Sequence, residues 1–164
     1  MGRRDYAVLL LLARLGARAV EVATLTLDDV RWATGEIVVR SKGAESRLPL
    51  PPDVGQALAA YLRARGAVPA TRTLFLRSRA PHGPLSVPGI TAIVARAGRR
   101  AGVRSISPHR LWHALATTML RRGASLAQIA QVLRHRSVDT TAIYAKVDTA
   151  QLRPLARPWP LGAT

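Results

Sequence analysis

The chain has 164 residues, enough for one domain with a real core, and 48% hydrophobic against 21% charged residues marks it as globular, not disordered. It contains no cysteine, which excludes disulfides and thiolate metal centres and suits an intracellular, cytoplasmic protein. The formal net charge of +16 is unevenly spread: residues 1–53 hold eight basic and seven acidic side chains, whereas Val54 to Val138 hold fourteen arginines and no acid. Such a stretch attracts polyanions, of which nucleic acid is the usual one; the alternative is a merely solvated arginine-rich surface.

In chain order, Asp5 to Leu15 is apolar on nearly every side, which predicts a buried helix. Its run YAVLLLLARLGA is broken by Arg14, falls far short of a membrane span and carries no signal-peptide cleavage site, so no membrane partner is expected. RAVEVATL predicts a second helix, closed by Thr26 to Asp29. VRWATGEIVVRSKGAESRLPLP alternates and is rich in β-branched residues, with turns at ATGE and SKGAES, and predicts two or three short antiparallel strands. PPDVGQALAAYLRARG opens on proline and a capping aspartate and predicts a helix. TRTLFLRS reads as a short strand or extended arm, followed by a Pro/Gly loop at residues 81–89. Further helices are predicted over VPGITAIVARAGRRAG, over SPHRLWHALATTMLRRG with a Ser-Pro cap, and over SLAQIAQVLRH and VDTTAIYAKVD. The tail LRPLARPWPLGAT holds three prolines and reads as extended or partly disordered. The expected fold class is therefore mainly α with a small antiparallel β-sheet.

Two features stand out chemically. Of 25 basic residues only Lys42 and Lys146 are lysines, and Lys42 sits in the strand turn. Arginine keeps its proton near neutral pH, whereas lysine gives one up when its surroundings lower its pKa, so Lys42 reads as a candidate general acid; on its own it also fits an exposed turn residue. In addition, His109, Trp112 and His113 stand at i, i+3 and i+4 and share one helix face. Two histidines at that spacing can share zinc, but no neighbouring glutamate, cysteine or third ligand supports a metal site, and His113 fits internal packing better.

Taken together, Arg18 in LGARAVEV, Lys42 in its β-turn, His109 and His113 in HRLWH, and His135 in LRH nine residues before Tyr144 resemble the catalytic domain of the tyrosine recombinases, the phage-integrase family. The resemblance covers Asp5 to about Asp148 and rests on five dispersed elements. It implies the DNA breaking-rejoining catalytic-domain fold, a catalytic domain over residues 1–148 and a Pro-rich tail over 149–164. Family members usually carry an N-terminal helical domain that completes a clamp on DNA. With Met1 almost directly before the catalytic fold, that core-binding domain is expected to be absent.

By the same resemblance, Arg18, Lys42, His109, His135 and Tyr144 fall on active-site positions. Arg18 and His135 would hold nonbridging phosphate oxygens, and Tyr144 would attack phosphorus to form a 3′-phosphotyrosyl link. His109 would take the tyrosine proton, Lys42 would protonate the departing 5′ oxygen, and Glu21 would orient Arg18. Such a scheme needs no metal or other cofactor. Arg134 and Arg136 are candidate phosphate contacts, or equally a solvated basic pair. The implied partners are double-stranded DNA and other copies of the chain, as a tetramer on two duplexes.

One position departs from the pattern. Trp112 stands where the family has its second catalytic arginine, and an indole offers one N–H, no charge and no fork. Arg110, two residues away and about 200° around the helix, does not replace it. Loss of an oxyanion donor costs about 10²–10³ in rate and loss of an arginine finger about 10³–10⁵. Cleavage is therefore expected to be slowed by about three orders of magnitude or more. The competing reading is a catalytically silent DNA-binding remnant of an integrase.

Overall fold

Helix α1 (Arg3–Arg14) buries Ala7, Val8, Leu11 and Leu12, a spacing that lays one stripe against the interior while Leu9 and Leu10 pack at its margins. It lies against α3 (Pro52–Arg65), whose Val54, Ala57, Leu58 and Tyr61 form the matching stripe. These contacts belong to a computed structural model that describes residues 1–41, 43–66 and 71–134. The chain divides into two units, Met1–Leu115 and Ala116–Thr164.

Within the first unit, α2 (Ala19–Thr24) is followed by a 3-10 turn at Leu27–Asp29 and a three-stranded antiparallel sheet ordered β1 (Val30–Arg31), β2 (Glu36–Ser41), β3 (Ala44–Pro49). Ile37 and Val39 of β2 point into the core, and their partners across the sheet are Leu48 and Ser46. Ser41 pairs with Ala44, so a two-residue turn joins β2 to β3; its second residue, Gly43, has φ +78°, a conformation that costs a Cβ-bearing residue strain. Asp29 anchors this sheet. It is 2% exposed and accepts from the Thr26 amide and hydroxyl, both at 2.8 Å, and from Arg40 of β2.

Of the two forms expected at TRTLFLRS, a short strand or an extended arm, the chain takes the arm. Its backbone bonds Leu25 and Leu27 on one side (Leu74 N to Leu25 O and Leu27 N to Arg72 O, both 2.8 Å), and on the other Leu85 N reaches Phe75 O at 2.9 Å. Only isolated bridges form, Thr26 with Thr73 and Leu76 with Pro84, and proline cannot donate to extend the second. Leu74 and Phe75 are nevertheless wholly buried. The loop expected at 81–89 closes at Ser86, which accepts the Gly89 amide at 3.3 Å, and with Pro88 suiting the first turn α4 (Val87–Arg100) starts at Val87, as VPGITAIVARAGRRAG predicts. Helix α5 (Pro108–Arg121) has the anticipated Ser-Pro start, with Ser107 Oγ accepting the Arg110 amide at 3.3 Å.

The unit boundary falls inside α5. In the second unit Gly123 (φ +85°) ends that helix and α6 (Leu126–Leu133) follows, capped reciprocally by Ser125 and Gln128. Ile129 and Leu133 of α6 are buried. The predicted helix VDTTAIYAKVD and the tail lie outside the described residues. No helix among the described residues is long and apolar enough to cross a membrane.

Candidate active site

Arg18 occupies the N-cap of α2, where the first helical amides lack intrahelical acceptors. Glu21, three residues on, supplies the missing acceptor: Oε2 takes the Arg18 amide at 2.7 Å and Oε1 takes Arg18 Nη1 at 3.1 Å. The carboxylate is 1% exposed while the Arg18 side chain is 35% exposed. A buried anion therefore fixes a cation that still reaches solvent. This is the pairing expected of Glu21, and it fixes a guanidinium in a way suited to a tetrahedral anion.

The face of α5 carries the second group. His109 and His113 approach with Nε2 atoms 2.7 Å apart, so one ring donates and the other must be an unprotonated acceptor. Burial first, and the neighbouring His109 charge second, push the His113 pKa below the usual histidine value. Trp112 stacks on His109 (centroids 5.9 Å apart, planes at 11°) and meets His113 edge-on at 5.4 Å. It is 9% exposed. The tryptophan between the histidines is thus an inward-facing packing residue that orients both rings. A guanidinium at this position would bring charge; the indole brings apolar surface.

Arg110 is engaged elsewhere on α5. Its Nη1 donates to Ser105 O at 2.7 Å and to Arg104 O at 3.4 Å, holding the loop that leads into the helix. Arg134 ends α6 in the left-handed region (φ 54°), and its Nη1 reaches Val132 O at 3.5 Å. Lys42, His135, Arg136 and Tyr144 lie outside the described residues, although the strands flanking Lys42 are described. The described contacts thus gather His109, Trp112 and His113 into one cluster and Arg18 with Glu21 into another. The Asp29–Arg40 pair, which ties down the hairpin bearing Lys42, was not anticipated; its signal is the acid at the end of the turn before β1, which only the strand pairing brings to Arg40.

Comparison with known proteins identifies the family and the fold. The sequence model described as the phage integrase family matches residues 1–151. "Putative integrase/recombinase y4rA" of Sinorhizobium fredii (strain NBRC 101917 / NGR234) is 52% identical over 98% of this chain and 40% of its own length. Among solved structures, a XerA recombinase superposes with a TM-score of 0.78 at 29% identity, over 96% of this chain and 60% of that one. A XerH site-specific recombinase bound to palindromic difH substrate, in a post-cleavage complex, has the same fold (TM-score 0.78, 22% identity, 93% of this chain and 45% of that one). The chain therefore spans about half the length of the relatives it matches. Its expected fold, a helical domain with a small antiparallel sheet shared with these recombinases, is the fold observed, and the chain belongs to the phage integrase family.

Proposed function

We propose that the chain is the catalytic part of a site-specific DNA recombinase that cleaves and rejoins strands through Tyr144. The observation that carries this reading is Arg18, fixed by the buried Glu21 yet open to solvent, which provides an oriented cation for the nonbridging oxygens of a phosphodiester. Family membership supports it, as do relatives named recombinases, one of them bound to DNA. The arginine-rich, acid-free stretch from Val54 to Val138 supports a DNA partner.

In this mechanism the Tyr144 phenol attacks phosphorus as His109 accepts its proton, and the bond to the 5′ oxygen breaks. Lys42 gives that oxygen a proton, and His135 and Arg18 neutralise charge on the nonbridging oxygens. The 3′-phosphotyrosyl link keeps the bond energy, so attack by an incoming 5′ hydroxyl reverses every transfer and releases the tyrosine. With His109 Nε2 donating to His113, the lone pair of His109 that takes the phenol proton is on Nδ1. Recombination joins two duplexes, so four copies of the chain act together. Residues 1–148 form the catalytic domain in this reading, residues 149–164 the tail, and Arg134 and Arg136 add phosphate contacts.

Trp112 lowers the rate, because its packed indole provides neither charge nor fork. That same observation favours the second reading, a DNA-binding remnant without cleavage. The deciding experiment incubates nicked suicide duplexes with the parent chain, Trp112→Arg and Tyr144→Phe, and scores covalent adducts. Adducts from Trp112→Arg at about 10³-fold the parent rate, and none from Tyr144→Phe, are expected. Parent adducts formed as fast as those of Trp112→Arg would refute the impairment. Absence of adducts from every version would leave the remnant reading in place.

A further inference from the structure

The two imidazoles on α5 meet nitrogen to nitrogen. His109 and His113 stand one helical turn apart, and their Nε2 atoms converge to 2.7 Å with the ring planes at 87°. His109 is exposed and His113 half-buried, so an ion reaches the pair from solvent. Trp112 packs against both rings, stacked on His109 and edge-on to His113, which restricts the rotation of each.

A shared proton or a metal ion can satisfy two imidazole nitrogens this close together. Metal–nitrogen bonds of about 2.0–2.1 Å hold two nitrogens about 2.9 Å apart at a right angle and about 3.3 Å apart at the tetrahedral angle. The observed 2.7 Å lies near the first value, the bite of a tetragonal Cu²⁺ or Ni²⁺ site, and small ring rotations reach the second, which suits Zn²⁺. Among the described residues no histidine or carboxylate joins the pair to make a group of three. The spacing argued against a closed structural zinc, and the geometry instead offers an open, two-nitrogen site whose other positions fall to water. Charge bears on it too. The arginine that the family has at the position of Trp112 would set a positive charge beside any bound cation, and the indole removes it. Arg110 is held away by its bonds to Ser105 O and Arg104 O.

We propose that His109 and His113 together bind one divalent transition-metal ion through their Nε2 atoms, Cu²⁺ ahead of Ni²⁺ and Zn²⁺, and that Trp112 in place of arginine admits it. Mg²⁺ and Ca²⁺, which take oxygen ligands, do not bind there. Binding moves one proton. In the free pair His109 Nε2–H donates to His113 Nε2, and His109 Nδ1 carries a lone pair. When the ion takes both Nε2 atoms, two waters leave it and that proton passes to His109 Nδ1, with none lost overall. The consequence for catalysis, unlike the site itself, rests on the recombinase reading: the bound ion removes the lone pair that takes the phenol proton, and cleavage stops until the ion leaves.

The test titrates CuCl₂ into the whole chain by calorimetry, then records imidazole ¹H–¹⁵N spectra with ZnCl₂. One Cu²⁺ is expected at the pair, with affinity lowered about tenfold or more by His109→Gln or His113→Gln. Trp112→Arg should lower it about tenfold, the effect of a unit charge 5–6 Å from a divalent ion in water. His82→Gln, whose ring lies against Arg77 O, should change nothing, and MgCl₂ should give no binding. If His113→Gln folds poorly, the exposed His109→Gln carries the same comparison. A parent that binds no Cu²⁺, or parent affinity in both histidine variants, would overturn the site. Parent affinity in Trp112→Arg would overturn the part given to the indole. The Zn²⁺ spectra should show His109 protonated on Nδ1, and a proton left on Nε2 would overturn the transfer. None of these readouts needs cleavage, so their failure leaves the recombinase reading intact. A chain that forms no adducts on nicked DNA fails that reading and leaves the metal site standing.

Discussion

Replacing Gly98 with alanine sets two effects against each other at the end of α4. In an ordinary helix interior the change gains about 0.8–1.0 kcal/mol, because alanine has less backbone entropy to lose. Here a Cβ would stand 2.1 Å from Ile106 Cγ2 and 3.1 Å from the Val103 carbonyl oxygen. Carbon atoms rest about 3.5–4.0 Å apart, so Ile106 must retreat by roughly 1.5 Å. It cannot do so freely, because the Val103 and Ala101 amides are bonded to Gly98 O at 2.9 and 3.0 Å and tie the loop to the helix end. Overpacking of this kind costs about 1–3 kcal/mol; with a branched side chain and a carbonyl both displaced, the upper end applies. Subtracting the helix gain leaves a net loss of about 2 kcal/mol. Urea denaturation of the parent, Gly98→Ala, Ile106→Ala and the double variant measures it as a cycle. Ile106→Ala removes the clashing methyl, so Gly98→Ala should be neutral or stabilising in that background, with a coupling above about 1 kcal/mol. A stabilised Gly98→Ala single variant, or no coupling with Ile106, would refute the reasoning. Ile106 stands just before the Ser-Pro start of α5, so the same packing places His109 and Trp112.

Two further outcomes follow from the site. Glu21→Ala removes a buried acceptor shared by the Arg18 amide and guanidinium; with the ion-pair share discounted because Arg18 is 35% exposed, the loss is about 2 kcal/mol. Glu21→Gln, which keeps an acceptor for the amide, should lose about half as much, and equal losses in denaturant titration would contradict the capping role. The depressed pKa of His113 means that the unfolded chain binds the proton more readily than the folded one. Stability is therefore level above the ordinary histidine value of 6.5 and falls as the pH drops below it towards the folded value. His113→Gln should flatten that fall in thermal melts between pH 7 and 5, and an unchanged slope would assign it to other groups.

Much of the fold was legible because period and punctuation agree locally. The stripe of α3, the Ser-Pro start of α5 and the turn glycines each act within a few residues, so the sequence alone places those elements. The arm around Phe75 was ambiguous because its backbone partners, Leu25 and Leu27 on one side and Gly83 and Leu85 on the other, are remote in sequence. The helix starting at VPGIT was read correctly, but the loop before it was drawn through residue 89 and overlapped it, because Pro and Gly mark turns and first helical turns alike; the Ser86 cap decides for the helix.

The site divides along the same line. The sequence by itself determined the residue types and spacings that resemble a recombinase, the Arg18–Glu21 pairing of one helical turn, and the presence of an indole where the family has a guanidinium. These follow from covalent order and the helix repeat. Tertiary structure alone decided that Trp112 turns inward against His109 and that Asp29 reaches Arg40. Burial, and charge brought together from distant segments, depend on how the elements pack, and no local pattern encodes that.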